Sequence, residues 1–372
     1  MVTVDERGVI ADIDTCPRVD SLRGVEYYNG VIIPAMTNAH CHLELSYMRG
    51  RIVPGGGLAA FVRGIERVRA DVEAGAILPA DISGAAAYWD ARMAGDGVGL
   101  VGDICNDNVI FDTKIHSSVR YRSFVELFGL MPGAAERGRA LLDVAAQCGL
   151  VASATPHSTY SLSDADFASA VGGLGTNNSP LSIHFMEDEG EAELFRRRGT
   201  IWEWYRGQGI DRRPGFDFLH WGSSVERVIG QVPPGRRTML IHNTFIGADE
   251  LATLQRHFGD NLTLVLCPRS NRYITGQLPP VEMVRRSGVR IAVGTDSLAS
   301  NASLSLVDEL KMFHGVPLEE LLRWATAAGA EALGCQDECG TIEVGRPARL
   351  ALLEGVDFAT LKLHPDATTR SI

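Results

Sequence analysis

Short apolar runs rich in β-branched residues recur along the chain, and stretches with helical spacing separate them. This alternation is typical of strands that each lead through a helix into the next parallel strand. Eight runs over roughly 300 residues fit the pattern, which predicts an α/β fold of the (β/α)8 barrel type. They are residues 30–36, 99–104, 121–127, 150–154, 181–185, 237–241, 262–266 and 289–293.

The two ends of the chain depart from this alternation. Residues 2–13 and 341–353 look like short strands, with turns expected at Gly8, Gly345 and Gly355. Because chain termini often lie close together, these strands are expected to meet in one small β-domain. We therefore predict a small domain from residues 1–33 and 341–372, and a barrel from residues 34–340.

The composition narrows the function. Of the 372 residues 45% are hydrophobic, which is enough for a large core, and the formal net charge is −11. Without a basic excess the chain is not expected to bind nucleic acid or an anionic membrane, so a small-molecule substrate is favoured. The N-terminal residues do not resemble a secretory signal, and no apolar run approaches the roughly 20 residues that cross a bilayer.

The cysteines are scattered along the chain, unlike the disulfide framework of a small secreted protein. We expect reduced thiols and a cytoplasmic location. Cys335 and Cys339 lie close together, but no second Cys or His pair accompanies them, so a structural zinc site is not predicted there. The seven cysteines are Cys16, Cys41, Cys105, Cys148, Cys267, Cys335 and Cys339.

Side chains that can bind metals follow the predicted strands, where the active residues of such barrels lie. Five of the ten histidines occupy these positions. His40 and His42 stand one residue apart, so on an extended backbone both project from the same face. The candidate positions are His40, His42, His157, His184, Glu187, His242 and Asp296.

Each of these residues also has an ordinary structural interpretation. A buried histidine such as His242 often donates to a backbone carbonyl, and Asp296 could cap a turn or a helix. Glu187 lies in an acidic run of the kind that starts a solvated helix. All these interpretations would have to hold together, whereas one catalytic site accounts for every position.

Three imidazoles and one carboxylate suit a divalent transition metal such as zinc or iron(II), with room for a water molecule. The predicted ligands are His40, His42, His184 and Asp296. A water bound to such a metal has its pKa lowered towards neutrality, so the set predicts hydrolysis. Glu187, three residues after His184, is better placed as a proton shuttle, and His242 would orient the attacking water or polarise the leaving group.

The motifs around these residues resemble those of the amidohydrolase superfamily over almost the whole chain. The resemblance implies a distorted (β/α)8 barrel with a small β-sandwich domain formed by the two termini. The matching segments are residues 34–46, 155–161, 184–187, 240–242 and 294–297.

The positions of the lysines in this chain indicate which of two branches of that superfamily it resembles. Members with two metals carry a carboxylated lysine at the end of the fourth strand, but Lys114, Lys311 and Lys362 are all distant from His157 in the sequence. The resemblance therefore implies one metal, as in the purine, pyrimidine and triazine aminohydrolases. In that branch the residue matching Glu187 moves a proton to a ring nitrogen, and the counterpart of Asp296 accepts a proton from the attacking water.

Residues 40–50 and 294–301 look most similar to the bacterial aminodeoxyfutalosine deaminases, which implies deamination of 6-amino-6-deoxyfutalosine to futalosine on a menaquinone route. Alternatives are S-adenosylhomocysteine, methylthioadenosine or adenosine as substrate, or another ring amine such as guanine or a triazine. A noncatalytic binding barrel or a metal-storage protein would be a different class. The resemblance also implies a homodimer. The candidate substrate contacts are His157, Glu126, Arg269 and Ser297.

Overall fold

The structure is a computed structural model that describes residues 1–15, 24–175 and 179–372. Cys16, one of the predicted reduced thiols, lies outside the described residues. The other six cysteines are free thiols. None of the described helices is long and apolar enough to span a bilayer.

Both termini contribute to small antiparallel sheets. The chain begins with a hairpin of β1 (Val2–Val4) and β2 (Ile10–Ile13), and β3 (Val31–Pro34) follows. At the other end, β12 (Leu350–Asp357) pairs with β3 on one side and with β13 (Lys362–Ser371) on the other. Backbone bonds between residues 8–10 and 345–348 join the hairpin to the C-terminal segment. The predicted meeting of the termini is confirmed.

Eight parallel strands lie between these ends, in two sheets of four. The first sheet contains β4 (Met36–Cys41), β5 (Val98–Cys105), β6 (Arg120–Leu127) and β7 (Ala152–Pro156). The second contains β8 (Leu181–Phe185), β9 (Thr238–His242), β10 (Leu262–Leu266) and β11 (Arg290–Val293).

Single bridges close the two sheets into a barrel. Cys41 pairs with Asp296 at one seam, and Ser158 pairs with His184 at the other. Strands β4, β8, β9 and β10 are buried along their whole length, as expected where helices cover the outer face of a parallel sheet. The prediction of a distorted (β/α)8 barrel is confirmed.

Helices connect the strands around the outside. α5 shows the local signals that start them, since the side chain of Ser163 accepts a bond from the Asp166 amide and caps the helix. The helices are α1 (Gly57–Glu73), α2 (Pro79–Gly95), α3 (Phe111–His116), α4 (Ala134–Gln147), α5 (Asp164–Val171), α6 (Glu189–Phe195), α7 (Gly199–Gly207), α8 (Ser224–Gln231), α9 (Ala248–Phe258), α10 (Pro268–Ile274), α11 (Val281–Arg286), α12 (Leu306–Leu310), α13 (Leu318–Trp324) and α14 (Ala327–Leu333).

The first predicted barrel strand is wrong in its position. The apolar run at residues 30–36 forms mainly β3 of the small sheet, and the barrel strand β4 follows it. β4 contains the polar residues Thr37 and Asn38, which are fully buried. Asn38 exchanges two hydrogen bonds with Thr295 across the barrel seam. Because its amide group is paired in this way, Asn38 can be buried although its hydropathy predicts exposure.

Candidate active site

The ends of β4, β8 and β11 bring four buried side chains together. His40 and His42 have their Nε2 atoms 3.2 Å apart, and His42 Nε2 lies 3.3 Å from His184 Nε2. Asp296 Oδ1 lies 3.4 Å from His42 Nε2 and 3.7 Å from His40 Nε2. The four ligand atoms are all within 4.8 Å of one another.

These separations are those of ligands around one ion. Nitrogen and oxygen ligands about 2.0–2.1 Å from a tetrahedrally bound metal lie about 3.3–3.4 Å from each other. Imidazole nitrogens this close, turned towards a carboxylate oxygen, have no mutual hydrogen-bonding arrangement that satisfies all of them. The four side chains therefore form a site for one divalent metal ion, such as zinc or iron(II).

Partners on the far sides of the His40 and His184 rings hold these two rings in place. His184 Nδ1 lies 3.0 Å from the His157 carbonyl oxygen and 3.3 Å from Glu126 Oε1, while its Nε2 atom faces the metal site. His40 Nδ1 lies 3.4 Å from the Ser182 hydroxyl. Such outer contacts fix the ring orientation and the tautomer of a metal-binding histidine.

The carboxylate of Asp296 is oriented in the same way. Its Oδ2 atom accepts hydrogen bonds from the Ser270 and Ser300 hydroxyls, each at 2.6 Å. Oδ1 is left to face His40 and His42. Two hydroxyl donors on one oxygen therefore decide which oxygen is presented to the metal site.

The backbone at the barrel seam is unusually close. A Cβ atom on Gly294 would lie 2.7 Å from the His40 carbonyl oxygen, so only glycine allows β11 to approach β4 here. The next turn places Asp296 at φ 56°, and His242 has φ 75°. Left-handed backbone at non-glycine residues is strained and concentrates at functional sites.

His242 and Glu187 stand beside the metal site. Asn271 donates through its amide nitrogen to Thr244, so its oxygen is free to accept from His242 Nδ1, at 3.2 Å. His242 Nε2 is then the unprotonated nitrogen, 3.5 Å from Glu187 Oε1. Burial lowers the pKa of His242 to about 3 and raises the pKa of Glu187 to about 8. At neutral pH the imidazole is uncharged and the carboxyl group carries a proton.

These groups open into one cavity with a volume of about 410 Å³. Three of the four predicted substrate contacts line it, namely His157, Glu126 and Ser297. His157 stacks on the ring of His184, with ring centroids 4.7 Å apart. Burial raises the pKa of Glu126, but the neighbouring His157 and His184 lower it more, so Glu126 is ionised.

Glu126, His157 and His184 form a second group that could hold an ion. It shares His184 with the first site, and Glu126 faces the Nδ1 side of that ring. Lys114 is the lysine nearest in sequence to Glu126. It is buried, and its Nζ atom lies 2.5 Å from Asp103 Oδ2. Glu126 therefore acts on the orientation of His184, in addition to lining the cavity.

Arg269 is the predicted contact that the structure does not bring to the cavity. It is absent from the cavity lining, and its guanidinium binds the Ser303 hydroxyl at 2.7 Å and lies 3.5 Å from Asp308. The next two residues contact the site instead. Ser270 donates a hydrogen bond to Asp296, and Asn271 accepts one from His242. Within residues 267–271, Ser270 and Asn271 are therefore the side chains that contact the site.

Sequence reasoning also missed the wall of the cavity. Residues of α1 and of the segment from α7 to residue 213 line it, although they are distant from every motif at the strand ends. Their lining residues are Leu58, Ala59, Phe61, Val62, Ile65, Glu66, Arg69, Ile201, Trp204, Tyr205, Gln208, Ile210 and Arg213. Nothing in the helical pattern of α1 distinguishes a cavity wall from an ordinary packed face.

Comparison with known proteins agrees with this geometry. A model of the amidohydrolase family matches residues 31–370. An adenosine deaminase of Helicobacter pylori is 29% identical over 348 residues, covering 89% of this chain and 80% of the relative. An aminodeoxyfutalosine deaminase of a Nitratiruptor species is 26% identical, covering 88% of this chain and 79% of the relative. The solved structure of H. pylori aminofutalosine deaminase with methylthio-coformycin has a TM-score of 0.80 at 27% identity, covering 95% and 86% of the two chains.

Proposed function

Because this chain belongs to the amidohydrolase family, we propose that it deaminates a 6-aminopurine nucleoside, with 6-amino-6-deoxyfutalosine as the substrate and futalosine as the product. The chain is a hydrolase of carbon–nitrogen bonds in cyclic amidines, and its general activity is deamination of adenosine-type nucleosides. The observation that carries the proposal is the placement of Glu187 and His242 beside a His-His-His-Asp metal site at one cavity.

In the proposed reaction a water molecule adds to C6 of the purine and ammonia leaves. The predicted ligands His40, His42, His184 and Asp296 would hold the metal, which lowers the pKa of a bound water towards neutrality. Glu187 donates its proton to the ring nitrogen next to C6, and Asp296 accepts a proton from the water and passes it to the amino group, which leaves as ammonia. As the C–N bond breaks, the added hydroxyl group returns a proton to Glu187 and becomes the 6-oxo group. His242, held in one tautomer by Asn271, orients the water through its unprotonated Nε2.

The contacts proposed for the nucleoside are His157, Glu126 and Ser297, which line the cavity. The relatives named as adenosine, methylthioadenosine or S-adenosylhomocysteine deaminases support a 6-aminopurine nucleoside more than guanine or a triazine. A binding barrel without catalysis, or a metal store, would not need the Glu187–His242 pair. The proposal also includes a cytoplasmic homodimer, supported by the free cysteines for the location and by the family resemblance for the dimer.

The direct test is an ammonia-release assay on the purified protein, with its metal content measured in parallel. We expect about one equivalent of divalent metal per chain. We expect turnover of 6-amino-6-deoxyfutalosine with kcat/KM above that for adenosine, methylthioadenosine, S-adenosylhomocysteine and guanine. Turnover of guanine with no activity on any 6-aminopurine nucleoside would overturn the purine nucleoside assignment.

A further inference from the structure

Two arginines line the cavity in addition to the metal-binding residues. Arg69 lies on α1, and Arg213 directly follows the short 3-10 helix Ile210–Arg212 beyond α7. Helices α1 and α7 pack against each other, so both arginines belong to the same wall of the cavity. Both are partly buried.

Neither guanidinium has a hydrogen bond or an ion pair with any residue in the described ranges. Among the partly buried arginines outside the cavity lining, Arg236 also lacks a hydrogen-bond partner, whereas Arg269 and Arg285 are paired. Arg269 binds Ser303 and Asp308, and Arg285 makes two bonds to Glu320. Because desolvating a charged group without a partner costs free energy, two such cations on one cavity wall indicate that their partner comes with the ligand.

The acidic residues of the cavity do not neutralise these arginines. Glu126, Glu187 and Asp296 belong to the catalytic cluster described above. Glu66 lies one turn before Arg69 on α1, but it is exposed to solvent and makes no ion pair with the described residues. An anion is therefore the ligand group that complements this wall.

The rest of the same wall is apolar and aromatic. Phe61, Val62 and Ile65 contribute from α1, and Trp204 contributes from α7. The indole N–H of Trp204 is buried and has no hydrogen-bond partner. A ligand that fits must therefore present an apolar group, flat enough to lie against aromatic side chains, in addition to the anion.

We propose that Arg69 and Arg213 form an anion subsite that selects nucleosides carrying a carboxylate on an apolar substituent distant from the purine. This inference rests on the proposed function and makes its substrate class narrower. 6-Amino-6-deoxyfutalosine carries such a carboxylate, whereas adenosine and methylthioadenosine do not.

The test compares three substrates in the metal-loaded enzyme: 6-amino-6-deoxyfutalosine, its neutral carboxamide analogue, and methylthioadenosine. For the wild type we expect kcat/KM for the carboxylate to exceed that for the carboxamide by about 10- to 100-fold, the range of charge-assisted hydrogen bonds. Arg69→Gln and Arg213→Gln should raise KM for the carboxylate by about the same factor with little change in kcat. Methylthioadenosine, which lacks the carboxylate, should lose much less in either variant, and the metal content should stay the same.

Arg63→Gln is the matched control, since Arg63 lies on α1 but is exposed and outside the cavity lining. It should leave all three substrates unchanged, and Arg69→Lys should recover part of the lost preference for the carboxylate. Equal losses on all three substrates in Arg69→Gln and Arg213→Gln, or a wild type that does not prefer the carboxylate, would overturn the subsite. If methylthioadenosine is still deaminated in that case, the proposed function survives; if no nucleoside is deaminated, the function itself fails.

Discussion

Glu187 is the residue whose protonation state the proposed chemistry depends on most directly. Burial raises its pKa to about 8, so it holds a proton at neutral pH and can donate it. As the pH rises through about 8 the proton is lost, and kcat/KM should fall along that limb. Glu187→Gln removes the donor but no metal ligand, so we expect kcat to drop roughly 10²- to 10⁴-fold with the metal retained.

The measurement is a pH profile of kcat/KM with metal analysis of each variant. Residual activity of Glu187→Gln should lack the limb near pH 8, because the group that titrates there is gone. Glu189→Gln is the control, since Glu189 is in the same acidic run but exposed and outside the cavity. A fully active Glu187→Gln enzyme would exclude the shuttle role.

At the same scale, the sequence identified the residues that follow strands better than those that orient them. His40 and His42 could be assigned because a two-residue spacing on a strand places both on one face. Ser270 and Asn271 could not, since their roles depend on helix α10 placing them beside Asp296 and His242. Ser and Asn are common in loops and caps, so their identity alone does not indicate a catalytic partner.

Among the elements, the turn after β4 is anchored by a buried ion pair. Asp103 in β5 accepts a hydrogen bond from the Leu43 amide at 2.8 Å through Oδ1, and its Oδ2 lies 2.5 Å from Lys114 Nζ. Lys114 in α3 also donates to Cys105 and Ser123. The pair therefore connects β5 and α3 to the backbone directly after His42.

Removing one partner of this pair leaves a buried charge without compensation. Lys114→Met should lower the free energy of unfolding by about 3–5 kcal/mol, and the double change Asp103→Asn with Lys114→Met should recover part of that loss. Urea unfolding measures both. Lys311→Met is the matched control because the Lys311–Asp308 pair is partly exposed, and a change within about 1 kcal/mol is expected there.

Metal affinity distinguishes a general loss of stability from a loss of this anchor. Asp103→Asn should weaken metal binding, measured by competition with a chelator. The loss of affinity should exceed that of a substitution elsewhere in the chain that lowers the free energy of unfolding by the same amount. If Lys114→Met unfolds like the wild type, the pair does not stabilise the turn. If Asp103→Asn binds metal normally, the turn holds His42 without it.

Hydrophobic pattern predicted the elements of the barrel well but misplaced its first strand and missed β13. The Asn38 and Thr37 side chains make β4 look like a polar loop, although both are buried, and two hydrogen bonds with Thr295 across the seam allow the burial of Asn38. β13 is mostly exposed, with Ala367 and Thr369 buried, so its sequence lacks the apolar alternation that marks a strand. In both cases tertiary contacts decide the structure, and these contacts cannot be inferred from the hydrophobic pattern of a single sequence.

At the scale of the whole molecule, the metal site lies where the two sheets of the barrel meet. The two four-stranded sheets meet through single bridges, between Cys41 and Asp296 and between Ser158 and His184. His40 and His42 come from the first sheet, whereas His184 and Asp296 come from the second. A bound ion therefore connects the two sheets, in addition to its proposed role in hydrolysis.

Removal of the metal should consequently loosen the seams before the rest of the barrel. At a free metal concentration about 1,000 times Kd, linkage gives about 4 kcal/mol of stabilisation, so the chelated protein should unfold at a clearly lower temperature. Hydrogen exchange should accelerate at the amides of Thr295 and Asp296, which both donate to the His40 carbonyl oxygen at 3.1 Å. Amides between β5 and β6 lie within one sheet and provide the internal control. Uniform acceleration in both places would mean that the ion stabilises the fold as a whole, and an unchanged melting temperature would mean that the two half-barrels hold together without it.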